Sequence, residues 1–180
     1  MWLAAAAAWG LAEATLFFIV PDVLLSWLAA FRPRLAWKAV AACLAGALAG
    51  GALMYCAAAD APGRMRTLLE AVPAVNGALV SETGAALEAD YGWTMLVAGF
   101  SGVPYKILAV ESGARNRGLA TFLGWSVPAR LPRWVLVVLI ARGVATAVRA
   151  RMTRPDRILW GLWAALWSIV YGVYFSVMGW

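Results

Sequence analysis

Residues Trp2–Phe31 read WLAAAAAWGLAEATLFFIVPDVLLSWLAAF. The run is apolar almost throughout, yet it carries Glu13 and then Pro21 followed by Asp22. It is longer than the ~20 residues a helix needs to cross a bilayer. A charged side chain at the centre of a bilayer helix costs roughly 2.5–3.5 kcal/mol on insertion scales. Pro21 removes a backbone N–H and breaks the helix next to the second acid. Two buried acids beside a backbone break are the makings of a substrate and proton site in a membrane transporter.

The remaining composition agrees with a membrane setting. Of 180 residues, 64% are hydrophobic and 13% charged, where soluble domains run nearer half and about a quarter. One integral membrane domain is expected, with no room for a sizeable soluble unit. Met1 and Trp2 put no basic region ahead of the apolar run, so a cleaved signal peptide is not expected. The net charge of +6 sits in arginines beside apolar segments. That pattern suits lipid headgroups and not nucleic acid. There is no histidine, which removes imidazole metal sites and histidine-based catalysis together. No metal, no cofactor and no enzymatic activity are expected. Cys43 and Cys56 would lie about 20 Å apart along a helix, too far for a disulfide, and read as small core residues.

Five segments follow from the hydropathy pattern. Trp2–Phe31 is interrupted at Pro21 and Asp22. Ala39–Ala59 is a small-residue helix with Gly46, Gly50 and Gly51. Tyr91–Ala114 is broken at Pro104, Tyr105 and Lys106, with Gly102 just before. Leu119–Val148 contains Pro128, Arg130, Pro132 and Arg133, and Ile158–Trp180 is uncharged. Residues 60–90 are richer in charge and read as one or two amphipathic helices outside the hydrocarbon. The organisation expected is a first half at 1–59, a connection at 60–90, a second half at 91–148, and a basic loop with a final helix at 149–180.

Charge asymmetry sets a topology. Arg32, Arg34 and Lys38 crowd one loop, and Arg149, Arg151, Arg154 and Arg157 another. By the positive-inside rule both are cytoplasmic, so an even number of crossings separates them. Three apolar segments lie between, so one must enter and leave on the same side; Tyr91–Ala114, with Gly102 and Pro104, is the best candidate. The opening run has the same layout. The fold class expected is an all-α membrane bundle with two opposed re-entrant hairpins and about three full transmembrane helices.

The residues able to carry chemistry are few. Glu13 and Asp22 are nine apart and would face opposite sides of an unbroken helix; the break at Pro21 could turn them toward one cavity. A desolvated carboxylate titrates nearer neutrality, which suits proton exchange. Asp22 as a plain N-cap is the competing reading. Lys106, Arg130 and Arg133 form the basic counterpart. Arg130 and Arg133, three apart, share a helix face, and guanidinium groups match phosphate oxygens. Pairing with Glu13, Asp22 or Glu111 is the alternative, and Pro128 and Pro132 should kink their helix locally. Five central, unpaired charges would cost on the order of 12–18 kcal/mol, so they must meet one another, water or an anionic ligand. Gly99-Phe100-Ser101-Gly102 has a serine between glycines but no histidine to act as base, so its glycines are read as a backbone turn. Gly46-x-x-x-Gly50 permits close packing, whether within the chain or in a homodimer. Most of the eleven tryptophans read as belt and lipid-facing anchors, with Trp2, Trp37 and Trp180 at interface depth.

Three blocks in order resemble the DedA-like family, also called SNARE-associated or VTT-domain proteins, and its short YqaA-like branch in particular. They are Ala12-Glu13 with Val20-Pro21-Asp22-Val23-Leu24-Leu25; Gly102-Val103-Pro104-Tyr105-Lys106; and Ala129-Arg130-Leu131-Pro132-Arg133-Trp134. The resemblance covers roughly residues 10–150. It implies two facing re-entrant hairpins and a transporter, flippase or scramblase of anionic lipids or polyprenyl-phosphate carriers in a bacterial cytoplasmic membrane. It also implies that Glu13 and Asp22 are the functional acids and Lys106, Arg130 and Arg133 the functional bases. Phe100 stands where larger members carry arginine, Ala129 where the pattern prefers glycine, and Pro132 is additional.

Overall fold

The computed structural model describes residues 1–73 and 75–178, and the described residues form nine helices and no strand. They are α1 (Trp2–Thr15), α2 (Asp22–Phe31), α3 (Pro33–Asp60), α4 (Pro62–Glu70), α5 (Gly77–Ala89), α6 (Tyr91–Ser101), α7 (Tyr105–Ala114), α8 (Leu119–Arg151) and α9 (Pro155–Met178). Length divides them. α3, α8 and α9 are long and apolar enough to cross a bilayer, which makes the chain an integral membrane protein. α1, α2, α6 and α7 have 14, 10, 11 and 10 residues. At 1.5 Å per residue they reach only about 15–21 Å, short of the ~30 Å hydrocarbon core.

The breaks fall where the sequence places them. The Thr15 hydroxyl donates back to the carbonyls of Leu11 and Ala12 at the end of α1, and α2 restarts directly after Pro21. Gly102 closes α6 at φ +86, a left-handed conformation that side chains resist. Pro104 then precedes α7. Each pair folds back on itself. Trp2 stacks on Trp27 at 5.0 Å and the Trp9 indole donates to the Ile19 carbonyl. Across the second pair, the Tyr91 and Ser112 hydroxyls are bonded at 2.9 Å.

α1 lies on α3 with backbone nearly touching backbone. A methyl added at Gly46 would meet the Ala7 carbonyl, and one at Gly10 the Cys43 carbonyl. The Gly46/Gly50 motif is therefore occupied inside the chain and offers no surface to a second copy. Gly50 faces Leu11 and Ala14 of α1, while its neighbour Gly51 lies under the Tyr105 ring of α7. The inner ends of both pairs thus meet at one level of α3. At the other end of the first pair, Ala30, Ala145 and Leu159 cluster with Phe31 and Val148, so the two arginine-rich loops share one end of the bundle.

Several expectations are corrected. α3 begins at Pro33, six residues ahead of Ala39, because proline suits a first helical turn. α8 runs three residues beyond Val148, to Arg151, and holds Pro128 and Pro132 within it. Residues 60–90, by contrast, hold two helices as expected, each with one buried stripe: Met65 and Leu69, then Val80, Thr83, Gly84 and Leu87. Cys43 is buried but Cys56 is exposed, since 13 residues turn a helix to a different face. Trp180 lies outside the described residues.

Candidate functional site

Glu13, on the last turn of α1, and Asp22, on the first turn of α2, are both buried. Pro21 occupies the cap position of α2, and the Asp22 side chain makes no cap bond. The capping reading is overturned: the carboxylate takes the Arg133 guanidinium instead, Nε to Oδ1 at 3.1 Å and Nη2 to Oδ2 at 2.5 Å. Two parallel charge-assisted bonds are stronger and more directional than one cap bond. Arg133 also donates to the Gly99 carbonyl at 3.3 Å, tying α2, α6 and α8 together.

One turn back on α8, Arg130 pairs with Glu13. Its guanidinium lies over Tyr105 at 4.3 Å and over Trp134 at 4.7 Å. A cation held between two aromatic faces is stabilised where water is scarce. The buried Arg130 Nε has no partner among the described residues. Trp134, the last residue of the third motif block and given no role of its own from sequence, is 2% exposed. Its spacing of four from Arg130 is the helical signal that could have placed it there. The Tyr105 hydroxyl donates to Ser126 at 2.8 Å, and Ser126 in turn to the Phe122 carbonyl.

Lys106 is the exception. It is 2% exposed, and its ammonium donates to the Phe17 carbonyl at 2.9 Å; no carboxylate lies within ion-pair distance among the described residues. That carbonyl is free because the helix stops at Thr15. The break in the first pair therefore feeds the base on the second. Glu111 belongs elsewhere: it takes Arg66 at 2.7 Å and 3.0 Å and also pairs with Arg115. This lock fastens α4 to the outer end of α7. The Glu111 hydrogen bond raises the Arg66 guanidinium above its ordinary value.

Two cavities adjoin the charges. One, of about 30 Å³, is bounded by Glu13, Arg130, Arg133 and Trp134. It is the size of a single water. The other, of about 360 Å³, is lined by Glu13, Asp22, Lys106 and Arg133, by Val72 and Val75 of the α4–α5 connection, and by Trp167 and Tyr174 of α9. That volume lies at the small end of ligand sites. Tyr171 of α9 fixes its rim by accepting the Val20 N–H at 2.9 Å. The α9 and connection residues carry no charge and gave no signal in the sequence. No group of three or more metal-ligating side chains forms among the described residues. The hinge residues Pro21, Gly102, Pro104 and Tyr105 sit at the inner ends of the two pairs. No family model, curated protein or solved structure matches the chain.

Proposed function

We propose that this chain moves an anionic lipid, or a lipid-linked phosphate, across the bilayer, with proton exchange at Glu13 and Asp22. The carrying observation is the convergence of two acids, the bases Lys106 and Arg133 and two helix breaks on one cavity of about 360 Å³, with Arg130 paired to Glu13 behind it. Both folded-back pairs are too short to cross, and both arginine-rich loops share one end, which supports two re-entrant hairpins opening to opposite faces. The three motif blocks that resemble the DedA-like family, and the bacterial cytoplasmic membrane they imply, point the same way. Lys106 and Arg133 receive the phosphate from the cavity, with Arg130 behind them. Each acid holds its guanidinium at rest and releases it on protonation, freeing donors for the passing headgroup. No step breaks a covalent bond. In proteoliposomes, Glu13→Gln and Asp22→Asn abolish flipping of an anionic fluorescent lipid while circular dichroism stays native. Wild-type rates in both variants end this mechanism.

A second reading is favoured by one observation: both acids already have a guanidinium partner. The pairs would then only staple the hairpins together in a membrane-organising protein. In that case the swap Glu13→Arg with Arg130→Glu restores expression and cellular phenotype together.

A further inference from the structure

The charge count around the cavity is odd: Glu13, Asp22, Lys106 and Arg133 line it, and Arg130 stands behind as the partner of Glu13. Arg130 is matched by Glu13 and Arg133 by Asp22. The Lys106 ammonium has only the Phe17 carbonyl, which neutralises nothing. The five charged groups, four buried and Arg133 partly so, thus carry one net positive charge. Nor does Lys106 gain from its helix: it stands in the first turn of α7, the positive end of that helix, where no side chain caps the backbone. Asp22, in the first turn of α2, complements the positive end of its helix. A charge shut away from water is costly unless an opposite one joins it, and the open volume beside Lys106 is where that partner fits.

We propose that the cavity selects a headgroup bearing one negative charge, a phosphodiester, over a net-neutral zwitterion and over a doubly charged phosphomonoester. This rests on the reading of the cavity as a headgroup site. A phosphodiester brings the set of five to neutrality. A zwitterion leaves the lysine charge in place, and a dianion overshoots by one. Lys106 is then the residue that sets headgroup class, while the two arginines are held by their own carboxylates.

The test uses the intact protein in a neutral detergent with an equimolar mixture of dioctanoyl phosphatidylglycerol, phosphatidylcholine and phosphatidic acid at mildly alkaline pH. Native mass spectrometry counts which lipid stays bound. The expected result is phosphatidylglycerol favoured about tenfold over phosphatidylcholine, the ratio ~1.4 kcal/mol of differential affinity gives. Lys106→Gln makes the set neutral and erases that preference. Lys106→Arg keeps it. Glu13→Gln adds a positive charge and moves the preference to phosphatidic acid; Asp22→Asn does the same if the first variant does not fold. The loop arginines contribute a background common to all variants, so the comparison with Lys106→Gln isolates the cavity. The same ranking in wild type and Lys106→Gln overturns the proposal, as does wild-type binding blind to headgroup charge. Charge-selective binding without lipid movement in vesicles removes the transport reading and leaves this one standing. Movement with charge-blind binding does the reverse.

Discussion

Removing Glu13 alone should cost far more than removing it together with Arg130. The two side chains are each about nine-tenths buried. Taking one partner from such a pair strands the other charge, at about 3–5 kcal/mol. Glu13→Gln keeps the shape and one acceptor, so the lower end of that range applies. Arg130→Met strands Glu13 and also strips the cation from between Tyr105 and Trp134, a further ~1–2 kcal/mol. The double variant strands nothing: a neutral amide and a thioether fill a similar volume, and such replacements of buried pairs are often close to neutral. Its stability should therefore lie above that of Glu13→Gln, with a coupling energy of at least about 4 kcal/mol. Denaturant unfolding in mixed micelles, followed by circular dichroism, measures all four corners of the cycle. Additivity to within ~0.5 kcal/mol would mean that the two groups do not interact, and the pairing at the heart of the site would be refuted. The same four proteins separate the two functional readings. A double variant that is stable but moves no lipid favours transport, whereas one that regains the phenotype along with its stability favours stapling.

Gly46→Val should be among the most damaging single changes. Its Cβ meets the Ala7 carbonyl, backbone that no rotamer change can move aside, so the cost reaches or exceeds the ~1–3 kcal/mol of ordinary overpacking. Gly124→Ala, on α8 with open space around its Cβ, should instead stabilise by up to ~1 kcal/mol through helix propensity; the contrast is read from unfolding midpoints. In a background with Cys43 and Cys56 replaced by serine, Gly63→Cys should react with an impermeant thiol reagent from outside the cell, and Thr153→Cys only after lysis. Labelling of both from the same side defeats the opposed arrangement of the two helix pairs.

The sequence made the helix breaks and the candidate charges plain, because proline, glycine and ionisable residues stand out against an apolar background. Pro21 starts α2 shortly after α1 stops at Thr15; Gly102 closes α6 and Pro104 starts α7. The partners were not legible. Arg130 reaches across 117 residues to Glu13 and Arg133 across 111 to Asp22, and with two acids and three bases nothing local decides the match. Lys106 was harder still, since its partner is a backbone carbonyl, and carbonyls look alike in every sequence. Trp134 did not stand out because belt tryptophans and cation-stacking tryptophans share a residue type and differ only in what lies four residues earlier.

The geometry supplies the missing rule. Arg130 and Arg133 are three residues apart on a continuous helix, a rise of about 4.5 Å. Their acids are nine residues apart, which in an unbroken helix would mean about 13.5 Å and opposite faces. Two guanidiniums so close together can hold two carboxylates so far apart in sequence only if the chain doubles back between them. The break at Pro21 does this, and the carbonyl it frees at Phe17 receives the third base. Proline, acids and arginine spacing are thus one constraint and not three. A substitution that restored helix across residues 16–21 would have to release Asp22 from Arg133 and Phe17 from Lys106 in the same stroke, even with every charged side chain still present.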